Sequence, residues 1–189
     1  PLLHNPGEKW SYGINMDILG CIVEVISGMS FAEYLDKNIF EPLKMNSTGF
    51  SVKAKDQKSF TTLYTSGTYR RDGEPVGQIG TNLSNVEFSK NLRSIDPFDK
   101  SPYLVDSSSL YDGGSGLVSS IDDYSIFSEM LLNKGELNGV RVLSEASLEL
   151  MSRNHLDLDR SEAVSFGVSG LGFGLTVGVV EDSGQAGQY

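Results

Sequence analysis

The stretch PGEKWSYGINMDILG, residues 6–20, passes from a turn into a helix and decides the fold. Pro6-Gly7 marks the turn, since both residues interrupt regular structure. From Met16 to Ser27 apolar residues recur at the helical period, and Gly28 stands where such a helix stops. The sequence therefore predicts a loop carrying Tyr12 directly in front of an amphipathic helix.

A second helix is predicted immediately afterwards. Ser30 and Glu33 have the spacing of a capping box, in which each side chain binds a free backbone amide. The pattern runs through Leu35 and Ile39 until Pro42, which lacks the amide that a helix interior needs. We expect these two short amphipathic helices to pack on each other.

The region from Asn46 to Leu110 is polar and rich in turns, with short strand-like segments such as Phe60 to Tyr64. Regular structure returns at the glycine-rich run GGSGL, residues 113–117. Ser120 is predicted to cap the helix that follows, with one apolar face formed by Tyr124, Phe127 and Leu131.

The last part of the chain predicts one more helix and a strand. Ser144 caps the helix, which turns Leu148 and Met151 inward. Apolar residues then alternate from Phe173 to Val180, the period of a strand with one buried face. Because a lone strand is not stable, we expect its partners to lie outside this chain.

Composition narrows the classes of partner. The 189 residues carry a net charge of −10, with a sequence pI near 4.6, which argues against nucleic acid or an anionic membrane as partner. No apolar run reaches the ~18 residues of a membrane span. The single cysteine, Cys21, lies in an apolar run, so we expect a buried thiol and no internal disulfide. Asp157 and Asp159 lack the remainder of a calcium-binding pattern, and we expect no metal and no cofactor.

Four blocks, in this order, resemble the β-lactamase-related serine hydrolases of the penicillin-binding-protein type. That family includes class C β-lactamases, D-alanyl-D-alanine carboxypeptidases and family VIII carboxylesterases. The blocks are residues 6–20; IFEPLKMNSTGF at 39–50, with Lys44 where glycine is usual; GGSGLVSS at 113–120, followed by Asp123-Tyr124; and GVRVLS at 139–144.

The resemblance implies acyl transfer through a serine ester. The family's nucleophile lies in an S-x-x-K motif upstream of the tyrosine, and a third motif (K-T-G, H-T-G or W-G-G) lies on a later strand. Residues 1–189 contain none of these motifs. We therefore expect this chain to be the middle portion of a longer domain.

The same resemblance assigns the candidate site. Tyr12 takes the place of the catalytic tyrosine, which helps to move the serine's proton to the leaving group. Ile14 stands where class C β-lactamases carry an asparagine that contacts the substrate amide, and an apolar residue there is similar to the family VIII esterases. Gly114 and Ser115 fall where the family builds one wall of the pocket.

The implied fold is the α/β (α+β) serine β-lactamase/transpeptidase-like fold. Residues 1–189 would supply a partial domain: mainly its helical subdomain, roughly 14–155, and the start of the C-terminal strands of the antiparallel sheet, roughly 171–189. The expected function is a serine hydrolase, first a carboxylesterase on small esters. Alternatives are a β-lactamase or D-alanyl-D-alanine carboxypeptidase on a β-lactam or amide substrate, and a non-catalytic ligand-binding homologue. The sequence leaves the compartment and the oligomeric state open.

Overall fold

The computed structural model describes residues 4–5, 8, 13–65, 68–70, 86–88, 93–96, 101–104, 111–156 and 170–186. The chain divides into two compact units. The first unit comprises Pro1–Asn46, Tyr111–Gly116 and Ser120–Tyr189, and the second comprises Ser47–Leu110 and Leu117–Ser119.

The described helices and strands follow one another along the chain as short elements. They are α1 (Asn15–Ser27), α2 (Phe31–Leu35), a π-helical turn (Asp36–Phe40), α3 (Glu41–Leu43), a 3₁₀ turn (Gln57–Ser59), β1 (Leu63–Thr65), β2 (Thr68–Arg70), β3 (Val86–Phe88), β4 (Arg93–Asp96), a 3₁₀ turn (Pro102–Leu104), α4 (Ile121–Leu132), β5 (Glu136–Leu137), β6 (Val140–Arg141), α5 (Glu145–Ser152), β7 (Leu171–Phe173), β8 (Gly178–Val180) and α6 (Ser183–Ala186).

Helices α1 and α2 form and pack as predicted. Helix α1 ends at Gly28, which adopts the left-handed conformation (φ 68°) and donates its N–H to the Glu24 carbonyl oxygen. The capping box of α2 is complete, since the Ser30 hydroxyl accepts from the Glu33 amide and the Glu33 carboxylate accepts from the Ser30 amide. The Ser30 hydroxyl, and then its amide, hold the pKa of Glu33 below its usual value. The Glu24 carboxylate joins the two helices by accepting from the Phe31 amide at 2.8 Å.

The prediction that Pro42 ends the second helix is wrong. After α2 the helical chain continues through a π-helical turn, in which the Glu41 N–H donates to the Asp36 carbonyl oxygen five residues back. This shift places Pro42 in the first turn of α3, where a missing amide has no helical partner to lose. The chain leaves the helix two residues later, at Lys44, which has a left-handed φ of 60°.

Much of the apolar surface of α1 is exposed. Val25 and Ile26 are 85% and 81% exposed. Cys21 is exposed as well, so the expectation of a buried thiol is wrong: Cys21 lies one turn before Val25, on the same exposed side of the helix. No single described helix is long and apolar enough to cross a membrane; Asn15–Ser27 and Phe31–Leu43, bent by 79°, pass that test only together, by length and composition.

Helix α4 forms where predicted, and its inner face includes Phe127 and Leu131 of the predicted apolar face but not Tyr124. The Ser120 hydroxyl accepts from the Asp123 amide and caps the helix, as expected. Tyr124, predicted to share one apolar face with Phe127 and Leu131, is 62% exposed. Phe127 and Leu131 are half-buried, and Met130 is fully buried. The inner face therefore follows the line from Asp123 to Met130, because the helical period puts Tyr124 about 100° away from Asp123.

The C-terminal part of the first unit adds a hairpin and a helix to this core. Strands β5 and β6 pair antiparallel through the turn at Asn138-Gly139. Ser144 caps α5, and its half-buried residues Leu148 and Met151 are those predicted to face inward. The buried apolar side chains of the described residues all belong to the first unit: Leu35, Phe40, Leu43, Met45, Met130 and Leu137.

The predicted single strand over residues 173–180 is instead part of a hairpin. Strand β7 pairs antiparallel with β8, with Leu171 opposite Val180 and Phe173 opposite Gly178. The chain turns between them, and the Gly174 N–H donates to the Val177 carbonyl oxygen at 2.8 Å. The alternating pattern extends across this turn, so periodicity alone did not reveal it. The strand finds its partner within the chain, contrary to our expectation.

Asn154 holds this hairpin to the segment after α5. Its Oδ1 accepts from the amides of Phe173 and Leu156, each at 3.0 Å, and its Nδ2 donates to a Glu181 carboxylate oxygen at 2.8 Å. The backbone of Gly172 lies so close that a side chain there would collide with Asn154. One amide side chain thus binds the last residue of β7 and the residue that directly follows β8.

We expect Asn154→Ala to lower the free energy of unfolding of the full-length protein by about 1–3 kcal/mol, because partly buried amides lose their acceptor. The control is Asn38→Ala, whose exposed side chain donates a single hydrogen bond to the Tyr34 carbonyl oxygen and should change stability by about 0.5 kcal/mol or less. Urea unfolding of both variants makes the comparison. Equal effects at the two sites would contradict the role given to Asn154.

The second unit contains paired strands that the sequence analysis missed, apart from the segment near Tyr64. Strand β1 pairs antiparallel with β4, and β2 pairs antiparallel with β3. An isolated bridge joins Gly49 to Val118, and the hydroxyls of Thr48 and Ser119 lie 2.8 Å apart beside it.

Candidate active site

An open cavity of about 880 Å³ lies in the first unit. Three segments that are distant in sequence line it: the start of α1 (residues 13–17 and 19), the glycine-rich loop (residues 113–115) and the β7–β8 turn (residues 173–176). Its lining includes the apolar residues Ile14, Met16, Leu19, Phe173 and Leu175. A cavity of this kind is the usual setting for a small-molecule site.

The candidate residues Ile14, Gly114 and Ser115 all line this one cavity. They come together although about a hundred positions separate Ile14 from the glycine-rich loop. Tyr12 lies outside the described residues. Its neighbour in the chain, Gly13, lines the cavity.

The first wall is the start of α1. Ile14 occupies the N-cap position, accepts the first helical hydrogen bonds from the amides of Asp17 and Ile18, and makes no side-chain cap. Its side chain is 71% exposed. A polar residue is the usual choice at a helix N-cap. Ile14 is apolar instead, and its exposed side chain adds apolar surface to the cavity wall.

The second wall, Gly113–Ser115, lies directly against the backbone of α1. A Cβ on Gly113 would collide with the Met16 carbonyl oxygen, so this contact requires glycine. The Gly114 N–H donates to Asp17 Oδ1 at 2.8 Å. The Ser115 hydroxyl donates to Asp112 Oδ2 at 3.2 Å, which orients this side chain within its own loop.

The third wall is the β7–β8 turn, which the sequence analysis did not assign to the site. It is held to α5 because the Leu175 N–H donates to the Met151 carbonyl oxygen at 2.9 Å. Thr176 adopts a left-handed φ of 72°, a strained conformation for a β-branched residue. Gly174 and Gly178 flank the apolar positions of this turn and were the signal in the sequence that could have revealed it.

Acids and histidines do not cluster in the part of the chain that the structure describes. That part holds no group of three or more His, Cys, Asp or Glu side chains arranged to bind a metal ion. His155 is exposed, and its Nε2 lies 2.6 Å from the Leu150 carbonyl oxygen. Its ring therefore contacts the last turn of α5. Asp157 and Asp159 lie outside the described residues.

Comparison with known proteins gives the same family along the whole sequence. The family model described as Beta-lactamase matches residues 1–189. Protein Rv1367c of Mycobacterium tuberculosis is 32% identical over 185 residues, which cover 96% of this chain and 40% of that protein. Esterase EstB of Burkholderia gladioli is 30% identical over 127 residues, which cover 65% of this chain and 29% of that protein. The chain thus spans less than half the length of these relatives.

The fold agrees with a solved structure. EstCE1, described as a hydrolase with promiscuous acyltransferase activity, superposes with a TM-score of 0.65 at 24% identity, over 98% of this chain and 44% of that one. The mixed helices and strands described above therefore form part of the β-lactamase/transpeptidase-like fold, and the predictions of family and fold class are confirmed. The chain belongs to the Beta-lactamase family of serine hydrolases.

Proposed function

We propose that the full-length protein is a serine hydrolase that cleaves small esters through an acyl-enzyme, with Tyr12 as its proton carrier. One observation carries the proposal: the residues that directly follow Tyr12 line a cavity whose other walls include Gly114 and Ser115. The nucleophilic serine would lie outside residues 1–189, since this sequence contains no S-x-x-K motif.

In this reaction the serine oxygen attacks the ester carbonyl carbon and passes its proton to Tyr12, which acts together with the lysine of the S-x-x-K motif. The tetrahedral intermediate collapses, the alcohol leaves with that proton, and an acyl-serine ester remains. Water then attacks the same carbon and gives a proton to Tyr12. The bond to the serine oxygen breaks, the serine takes up that proton, and the acid is released. A phenol takes part at neutral pH only if its pKa of about 10 is lowered or the lysine shares the proton.

The preference for esters rests on the apolar character of the cavity. Ile14 contributes an exposed apolar side chain at the position where class C β-lactamases have an asparagine. Phe173 and Leu175 add apolar surface from the third wall. An isoleucine side chain cannot form a hydrogen bond with a substrate amide. Without that hydrogen bond, the site has little preference for a substrate that carries the amide. The similarity to EstB, which is named an esterase, supports the same substrate class.

The direct test measures kcat/KM of the full-length protein on p-nitrophenyl butyrate, a chromogenic cephalosporin and a D-alanyl-D-alanine peptide. We expect the ester to be turned over at least about tenfold more efficiently than the other two. A faster reaction with the cephalosporin would indicate a β-lactamase instead of an esterase, and a faster reaction with the peptide would indicate a carboxypeptidase. Binding of a ligand without turnover of any of the three would favour a non-catalytic homologue.

Ile14→Asn should lower kcat/KM for p-nitrophenyl butyrate by about tenfold, because an amide replaces apolar contact area in the cavity. The cephalosporin should lose none of its rate. The matched control is Ile121→Asn, an isoleucine that is 79% exposed at the start of α4 and does not line the cavity. If both variants lose ester activity equally, Ile14 has no specific role in the choice of substrate.

A further inference from the structure

The carboxylate of Asp17 joins two segments of the cavity wall that lie 97 residues apart. Its Oδ1 accepts the Gly114 backbone N–H at 2.8 Å, and Asp17 lies half-buried in the first turn of α1. We propose that Asp17 is a positioning residue: it fixes the loop Gly113–Ser115 against the helix that follows Tyr12 and so sets the shape of the substrate cavity. This inference rests on the proposed function, because it concerns the same cavity.

The loop packs closely against α1 around this hydrogen bond. Backbone meets backbone at Gly113, where no Cβ fits beside the Met16 carbonyl oxygen. A Cβ on Gly114 would lie 3.1 Å from Asp17 Oδ1, closer than such contacts normally are. The loop therefore approaches α1 without any side chain of its own between them. The position of the loop along the helix then depends on a directional contact, and the Asp17 carboxylate supplies one.

The chemistry of the acceptor predicts a graded series of variants. A hydrogen bond from an amide to a carboxylate is stronger than one between neutral groups. Asp17→Asn keeps an oxygen that can accept the Gly114 N–H but loses the charge, whereas Asp17→Ala loses the acceptor. Both changes also remove a favourable negative charge from the first turn of α1.

Asp122 offers a matched control for that helix effect. It lies exposed in the first turn of α4, so Asp122→Ala removes the same kind of interaction between an acid and a helix dipole. It does not line the cavity. A purely helix-stabilising role for Asp17 therefore predicts the same behaviour in Asp17→Ala and Asp122→Ala.

The experiment compares the wild-type full-length protein with Asp17→Ala, Asp17→Asn and Asp122→Ala. Two quantities are measured: kcat and KM for p-nitrophenyl butyrate, and the hydrogen-exchange rate of the Gly114 amide. The Gly28 amide, which donates to the Glu24 carbonyl oxygen at 2.9 Å, serves as the reference for α1 itself.

For Asp17→Ala we expect Gly114 exchange to rise at least about tenfold relative to Gly28, since the amide loses a charge-assisted partner. KM should rise by about tenfold with kcat nearly unchanged, because a displaced wall weakens ground-state and transition-state binding alike. Asp17→Asn should restore most of both quantities. If Asp17→Ala does not fold, Asp17→Asn still tests the proposal, through a severalfold rise in Gly114 exchange with Gly28 unchanged.

An Asp17→Ala variant that matches Asp122→Ala in KM and in Gly114 exchange overturns the positioning role. A wild-type protein without ester hydrolysis overturns the proposed function instead. In that case the exchange rates alone decide whether Asp17 holds the loop.

Discussion

Replacing Tyr12 by phenylalanine in the full-length protein is expected to lower kcat for p-nitrophenyl butyrate by about 10²–10⁴-fold, the usual contribution of positioned proton transfer. The substitution removes one oxygen and leaves the ring, so the start of α1 should keep its structure. KM should change little, because the lost interaction belongs to the transition state. Stopped-flow or steady-state release of p-nitrophenol measures both constants.

Tyr124→Phe is the matched control. Tyr124 is 62% exposed on α4 and does not line the cavity, so its hydroxyl should be dispensable for turnover. Near-wild-type turnover in Tyr12→Phe would remove Tyr12 from the mechanism. An equal loss in both variants would point to a general effect of tyrosine removal and would give Tyr12 no special role.

Gly113→Ala is expected to have the second largest effect. The new Cβ would collide with the Met16 carbonyl oxygen, a backbone atom that cannot rotate away. Overpacking of this kind costs about 1–3 kcal/mol of stability. The loop must also shift away from α1, and a displacement of about 1 Å in a positioning element can lower activity by about 10²-fold. Denaturant unfolding and kcat/KM of the full-length variant measure the two losses.

Gly178→Ala controls for the loss of glycine itself. A Cβ at Gly178 meets nothing within 4 Å, and the residue does not line the cavity. We expect its stability to stay within about 0.5 kcal/mol of the wild type, with unchanged activity. Wild-type stability and activity in Gly113→Ala would mean that the loop does not lie against α1 as described.

Local signals in the sequence were sufficient for the end of α1 and for the starts of α2 and α5. The capping box at Ser30 and Glu33, the stop at Gly28 and the cap at Ser144 each depend on residues within one turn, and the structure contains all of them. The prediction at Pro42 was wrong because proline ends a helix only when it falls in the interior of an α-helix. Here a π-helical turn lies directly before α3 and changes the register of the hydrogen bonds.

Features that depend on contacts distant in sequence were harder to predict. Alternation over residues 173–180 has the same appearance in one strand as in two strands that flank a turn, so the β7–β8 hairpin was missed. The hydrogen bond between Asp17 and Gly114 leaves no periodic signal at all. The exposed position of Tyr124 depends on which elements cover α4, and apolar spacing within the helix does not contain that information.

The candidate site also combines residues found from local motifs with residues brought in by contacts distant in sequence. The family resemblance selected Ile14, Gly114 and Ser115, and the structure places all three around one cavity. The third wall, which includes Phe173 and Leu175, was not selected, because nothing local to those residues indicates that the hairpin reaches the start of α1. The motif blocks thus supplied three of the residues that line the cavity, while packing supplied the remainder, and the functional role of all of them stays a prediction.

We propose that this chain contributes Tyr12 to an acyl-enzyme serine hydrolase. The most direct test mixes the full-length protein with p-nitrophenyl butyrate, quenches the reaction within the first turnover and maps the modified peptide by mass spectrometry. We predict one butyryl group on a serine followed three residues later by lysine, outside residues 1–189, with its rate of formation strongly reduced in Tyr12→Phe. Absence of any acyl adduct, or an adduct that forms equally fast in Tyr12→Phe, would contradict the claim.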